Sequence, residues 1–125
     1  MTPARWSVHY FFCEETTPPK NKFVVVGHLY ATSFLGLYIN SAIPHVHNDA
    51  RGLQCYAPIQ VVDYSFLSHD SVIGCADATE FDFSKISVTT LRGELTPAMI
   101  TEVRRVVNQC SLLKVKYWQL LVTDD

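Results

Sequence analysis

The sequence predicts a mostly β fold of the α+β class, on three observations. Short segments rich in aromatic and β-branched residues follow one another from Trp6 to Arg92, separated by clusters of Pro, Gly, Asn, Asp and Ser. One strongly amphipathic helix pattern begins only afterwards, at Thr96. No strand–helix–strand alternation occurs, which argues against a parallel doubly wound sheet. A strongly bent antiparallel sheet or small barrel, packed by the helix, satisfies all three.

Trp6 to Cys13 (WSVHYFFC) reads as the first strand, and Glu14 to Asn21 (EETTPPKN) as a loop, because Pro18 and Pro19 cannot donate ladder hydrogen bonds. Lys22 to Leu29 follows as a strand. Its unbroken apolar run from Phe23 to Val26 predicts burial on both faces, and Gly27 predicts a bulge or a close backbone approach. Phe34 to Ser41 is a third, nearly continuous apolar strand. Ala42 to Gly52 has no clean period and reads as a long surface loop. Gln54 to Val62 is expected as an edge or bulged strand because of Pro58. Ser71 to Ala76 reads as a short strand, Thr79 to Ser87 points Phe81, Phe83 and Ile86 inward, and Val88 to Arg92 leads to a turn at Gly93.

Thr96 suits the N-cap, where its hydroxyl accepts from an otherwise unpaired first-turn N–H, and Pro97 suits the first helical position. Met99, Ile100, Val103, Val106, Val107 and Cys110 then recur on one face, with Glu102, Arg104, Arg105, Asn108 and Gln109 on the other, to about Ser111. For Lys116 to Val122 the pattern leaves a final strand and a short second helix open.

At 125 residues the expectation is a single domain spanning 1–125. A 48% hydrophobic, 18% charged composition supplies a core without needing metal or cross-links. The formal charge of −2 argues against coating nucleic acid by bulk charge, though it leaves room for a local basic groove. The four cysteines, Cys13, Cys55, Cys75 and Cys110, form no CxxC pair. With neither an apolar leader nor a run approaching the ~18 residues of a membrane span, the expectation is a cytoplasmic protein with no membrane partner. Its thiols are expected to be mostly buried and reduced.

Several residues could carry chemistry. His45 and His47 alternate on what reads as an extended segment, so both imidazoles could face one ligand. They could act as acid and base on RNA, or bind zinc with Asp49 or Cys55, or simply lie on the surface. Lys20 and Lys22 flank the turn into the second strand, where cations could hold a phosphate or lie solvated; Lys22 could stabilise charge on a pentavalent intermediate. Ser41 could donate to a phosphate oxygen. Ser68-His69-Asp70-Ser71 resembles triad material, but sequence adjacency is poor grounds for a triad. A turn with His69 exposed is the expectation. Tyr30, Tyr38, Tyr56 and Trp118 could stack on bases or fill the core.

The segment FLSHDSVIGCADATEFDFSKI, followed by RGELTPAMITEVRRVV, resembles the C-terminal half of MazF/PemK-like proteins. In that family a Gly-x-Leu/Val turn precedes a terminal helix, as Gly93-Glu94-Leu95 does here. The opening strand, polar loop and basic entry into a buried strand (KFVVVG) are similar too, and the resemblance runs from about Ser7 to Gln109. It implies a small SH3-like antiparallel barrel with one packing C-terminal helix, usually a homodimer. It further implies a metal- and cofactor-independent endoribonuclease of a toxin–antitoxin pair, with RNA as substrate and an antitoxin protein as partner. In such enzymes the RNA 2′-hydroxyl attacks the adjacent phosphate, leaving a cyclic phosphate and a 5′-hydroxyl. The family's arginine at the start of the second strand falls on Lys22, and its threonine or serine ending the third strand falls on Ser41. Lysine keeps the charge and loses the bidentate fork. The resemblance thus places catalysis on Lys22 and Ser41; joined to the reading of His45 and His47 as acid and base, the expected catalytic set is Lys22, Ser41, His45 and His47, with Lys20, Asn40 and Arg51 contacting RNA. The loop Ala42 to Gly52 falls where family members meet RNA or antitoxin. A catalytically silent interaction module on the same barrel is the alternative.

Overall fold

The structure is a computed structural model and describes residues 3–124. Its elements are β1 (Ser7–Cys13), β2 (Lys20–Leu29), β3 (Ser33–Asn40), α1 (Ala50–Leu53), β4 (Tyr56–Ile59), β5 (Ser71–Gly74), β6 (Thr79–Asp82), β7 (Leu91–Glu94), α2 (Pro97–Gln109) and α3 (Val115–Val122). Short 3-10 turns occupy His45–His47, Val61–Asp63 and Phe83–Lys85. Among the described residues the seven strands form one antiparallel sheet, ordered β4-β5-β3-β2-β1-β7. The first half of β3 pairs with β6 and its end pairs with β5. This division of one strand between two neighbours curls the sheet into a half-barrel.

The continuous apolar runs of β2 and β3 follow from burial on both faces. Val25, Leu35, Leu37 and Ile39 point into the main core beneath the helices. Val24, Val26 and Phe34 point the other way, into a second cluster with Phe11, Phe81 and Ile86. Gly27 is both things expected of it. The β2–β3 register shifts between Val26 and His28, and a Cβ on Gly27 would lie 2.6 Å from the Leu121 side chain of α3.

Helix α2 begins as read from the sequence, with the Thr96 hydroxyl accepting from the Met99 N–H at 3.2 Å and Val103, Val106 and Val107 buried. It spans the open side of the half-barrel. Its first residue lies three positions after β7 ends, and Cys110, its C-cap, forms a disulfide with Cys55, the residue before β4. The segment left open between strand and helix is the helix α3. Arg5 holds its end, donating to the carbonyls of Leu120 and Thr123, both at 2.6 Å, and of Gly27 at 2.8 Å. Arg104 adds a bond to the Leu121 carbonyl at 3.1 Å. The two guanidinium groups lie 5.2 and 5.5 Å from the Trp6 ring. Trp6 itself has a φ of 69°, a conformation that costs a bulky L residue energy. Its N–H donates to Val26 O and its carbonyl accepts from Leu95 N, fixing that geometry.

The structure corrects several expectations. The thiols are not all reduced: Cys55 and Cys110 are bonded, while Cys13 and Cys75 are free and buried. Residues 55 apart gave no spacing signal; the curl of the sheet brings them together. Ala42 to Gly52 is not a featureless loop, because Asp49 caps α1 by accepting from the Gly52 N–H at 2.7 Å. Gly93 is not a turn residue but lies in β7, paired with Val8. The strand expected at Gln54 to Val62 is only Tyr56–Ile59, and that expected at Thr79 to Ser87 is only Thr79–Asp82; each then turns into a 3-10 segment. Among the described residues no helix is long and apolar enough to cross a membrane.

Replacing both Cys55 and Cys110 by alanine should leave the sheet intact and cost roughly 2–4 kcal/mol, because the bridge closes a long loop of the unfolded chain. Urea unfolding followed by circular dichroism measures this. A second test uses His9, which is buried on β1 between the Ser7 and Thr90 hydroxyls, at 3.2 and 2.8 Å. Burial, and then the charge of Arg92, push its pKa below the usual imidazole value. The unfolded chain therefore binds the proton first on acidification, and the stability His9 contributes is lost as pH falls from its unfolded toward its folded pKa. His9→Gln should show a shallower loss of urea midpoint between about pH 7.5 and 5 than the wild type.

Candidate functional site

The sheet is apolar on both faces along its length, so polar side chains collect at its end, where β2 begins and β3 finishes. The pair Phe23↔Ile39, carried one step further, sets Lys22 across from Asn40, and a second step sets Asn21 across from Ser41. Alternation then sorts these residues onto two sides. Asn21, Phe23, Ile39 and Ser41 line one cleft of about 220 Å³, shared with Tyr10, Ser68 and His69. Tyr38 and Asn40 line a second cleft of about 410 Å³, shared with Glu15, Asp77 and Thr79. Lys20 and Lys22 line both and form the ridge between them.

Lys22 is half-buried and donates from Nζ to Asn40 Oδ1. Its ammonium also lies 5.9 Å from the centre of the Tyr38 ring. Burial first, and then the like charge of Lys20, lower its pKa from the ordinary lysine value. Ser41 and Lys20 are exposed at the rim. The floor of the smaller cleft is aromatic: Tyr10 and Phe23 lie 4.6 Å apart, centroid to centroid, and Phe66 is 5.2 Å beyond Phe23. Cys13, paired with Lys20 across β1 and β2, is buried and lines neither cleft, and burial raises its thiol to about 11. The arrangement presents two ammonium groups and a hydroxyl around a small apolar floor, which suits a phosphodiester with an attached flat ring.

Of the residues singled out from sequence, Lys20, Lys22, Asn40 and Ser41 come together here. His45, His47 and Arg51 line neither cleft. The two histidines occupy a 3-10 turn rather than an extended segment, so alternation does not put their rings on one side. His47 Nδ1 instead meets the Tyr56 hydroxyl. Arg51 donates from Nε to Ser111 Oγ at 3.3 Å, beside the disulfide. Cys55 is in that disulfide, so the zinc set drawn from His45, His47 and Cys55 loses its thiolate. Among the described residues no three His, Cys, Asp or Glu side chains group to hold a metal ion.

The sequence reading left His69 out of the site and placed it on an exposed turn. The ring is exposed, and it also lines the smaller cleft with Lys22 and Ser41. Its only signal was its place in a polar turn between apolar segments; the β4–β5 pairing that swings this turn to the sheet end is not written locally.

Comparison with known proteins bears on the fold. No family model matches the chain, and no curated protein matches it. Among solved structures it is similar to the Mycobacterium tuberculosis toxin MazF-mt6, with a TM-score of 0.64 and 13% identity, over 86% of this chain and 98% of that one. The chain therefore has the fold of a MazF toxin, an α+β, barrel-like curled sheet with packed helices.

The Lys22–Asn40 bond generates a direct test. Asn40 Oδ1 accepts from the charged form of Lys22 and favours it, so Asn40→Ala should lower the lysine pKa further. Carbon-13-detected titration of the lysine ε-carbons measures the change.

Proposed function

We propose that this protein is a MazF-type toxin that cleaves single-stranded RNA without a metal, with the scissile phosphate seated at the Lys20–Lys22 ridge. The observation that carries this reading is the convergence of Lys20, Lys22 and Ser41 on one cleft of a MazF-type fold. In the proposed reaction the 2′-oxygen attacks the adjacent phosphorus, the P–O5′ bond breaks, and the products carry a cyclic 2′,3′-phosphate and a 5′-hydroxyl. Charge builds on the non-bridging oxygens of the pentavalent intermediate. Lys22, half-buried and held in place by Asn40, offsets that charge where water screens it less than in bulk. Ser41 donates a hydrogen bond to the same phosphate, and Tyr10 and Phe23 provide a face for a neighbouring base.

On this reading the chain acts as one domain in the cytoplasm, as a homodimer, and is silenced by an antitoxin protein that covers the cleft. A cytoplasmic site of action means that the Cys55–Cys110 bond faces a reducing pool. The Arg51–Ser111 bond and that from Gln109 Nε2 to the Gln54 carbonyl would then still hold α2 to this edge. A catalytically silent interaction module is the competing reading. The observation in its favour is Lys22 itself, a lysine at the position where the family resemblance places an arginine.

Purified protein should convert RNA to fragments with 5′-hydroxyl ends, which accept labelled phosphate from polynucleotide kinase without prior dephosphorylation. Lys22→Ala should lower the rate about 10²–10³-fold, and Ser41→Ala by about tenfold or more, as expected for lost donors to a transition-state oxyanion. Unchanged RNA in the presence of folded wild-type protein would select the silent module.

A further inference from the structure

We propose that His69 is the general base of this cleft and takes the proton from the RNA 2′-hydroxyl; this rests on the RNA-cleaving reading above. The chemistry of the lining residues singles it out. The smaller cleft presents the cations Lys20 and Lys22, hydroxyls, the amide of Asn21 and apolar side chains, and among the described residues no carboxylate lines it. The carboxylates of Glu15 and Asp77 belong to the other cleft. Neither His45 nor His47 lines the cleft, and His9 is enclosed in the core. Among the described lining residues, His69 supplies the imidazole, whose neutral ring carries a nitrogen lone pair that can take up a proton.

The Nδ1 side of the ring is held by its own turn, 3.0 Å from the Asp70 carbonyl oxygen and 3.4 Å from Ser71 Oγ. In the tautomer that donates from Nδ1 to that carbonyl, the lone pair of the neutral ring is on Nε2. The turn carrying the ring is pinned on both sides. Asp70 Oδ1 accepts from the Val61 N–H at 2.9 Å, and Ser71 Oγ donates to the His69 carbonyl at 3.1 Å. Ser71 itself is buried and opens β5, paired with Ile59 of β4. The imidazole is thus mounted on the sheet rather than on a free loop.

In the proposed step the 2′-O–H bond breaks and its proton moves to His69 Nε2. The 2′-oxygen bonds to phosphorus, the P–O5′ bond breaks, and the departing 5′-oxygen takes a proton from the Lys22 ammonium. Exchange with water then restores both groups, so no further reactant is consumed. Burial and the neighbouring Lys20 weaken the hold of Lys22 on its proton, which suits it to protonate the leaving oxygen.

The test is single-turnover cleavage of a long single-stranded RNA of mixed sequence by wild type, His69→Gln and His69→Ala across pH 5–9. His69→Gln should cleave about 10²–10⁴-fold more slowly and lose the fall in rate on the acid side. It should still bind an uncleavable all-2′-deoxy version of the same strand as tightly as wild type. Added imidazole should restore part of the His69→Ala rate, which a merely structural role would not allow. Circular dichroism melting of both variants checks the fold, and the acid limb of the wild-type profile stands independently of either. Wild-type cleavage together with a His69→Gln rate within about threefold and an unchanged pH profile would overturn the proposal and leave the ribonuclease reading intact. Absence of wild-type cleavage would overturn both.

Discussion

The structure depends on α2 being fastened at both ends. A curled sheet with β4 and β7 as its edges cannot satisfy itself by strand pairing alone, because the two edges do not meet. A helix of thirteen residues is about 20 Å long, enough to cross the open side, but only if its ends are fixed. At the start, the Thr96 N–H donates to the Tyr64 hydroxyl at 3.1 Å, and the neighbouring Leu95 N–H donates to the Trp6 carbonyl at 2.9 Å. At the end, Cys110 is bonded to Cys55 beside β4, and Gln109 Nε2 donates to the Gln54 carbonyl at 3.1 Å. Between these ties the buried valines of α2 complete the main core. α3 folds back over β2, where Gly27 lets it approach, and the arginines around Trp6 satisfy its final carbonyls. A β-barrel removes its edges by closing; here a helix performs that closure.

That closure decides where function is possible. With helices over one face and a Phe11–Phe34–Phe81 cluster over the other, the middle of β2 and β3 is committed to packing. Polar and charged side chains can stand only where the strands run past the covered region. Lys20 and Lys22 precede the apolar run of β2, and Asn40 and Ser41 follow that of β3, so antiparallel pairing delivers all four to one place. The same alternation that fills two cores further down makes two clefts at the end, with the lysines long enough to serve both.

Much of this was legible in the sequence. Thr96 and Pro97 marked the start of α2, and the run from Phe23 to Val26 declared two buried faces. Lys22 and Ser41 stood at the ends of those strands, which is a local property. What escaped the sequence was set by long-range pairing. The division of β3 between β5 and β6, the meeting of Cys55 with Cys110 and the placement of His69 depend on how distant segments come together, which no periodicity records. His45 and His47 lie in a 3-10 turn after Pro44 where an extended segment was expected, and the Asp49-capped turn of α1 follows directly. Gly52 accommodates the crossing because a Cβ there would lie 2.1 Å from the His47 carbonyl oxygen.

Lys22 is where fold and proposed chemistry meet most closely. Arginine at this position would hold its proton under all conditions and match two phosphate oxygens at once. Lysine does neither, so a site built on it must gain from a different property. A half-buried ammonium beside a second ammonium gives up its proton more readily than a solvated one. In the proposed reaction that property lets it donate a proton as well as supply a positive charge. A donor of that kind is useful only if a base on the other side of the phosphate removes the first proton, and the His69 turn brings an imidazole to the same cleft. In the proposed reaction, a lysine where the family resemblance implies an arginine would alter the division of labour in the site rather than abolish it. Lys20 and Ser41 would share the stabilisation of the intermediate with Lys22, and the Lys22–His69 pair would move the protons.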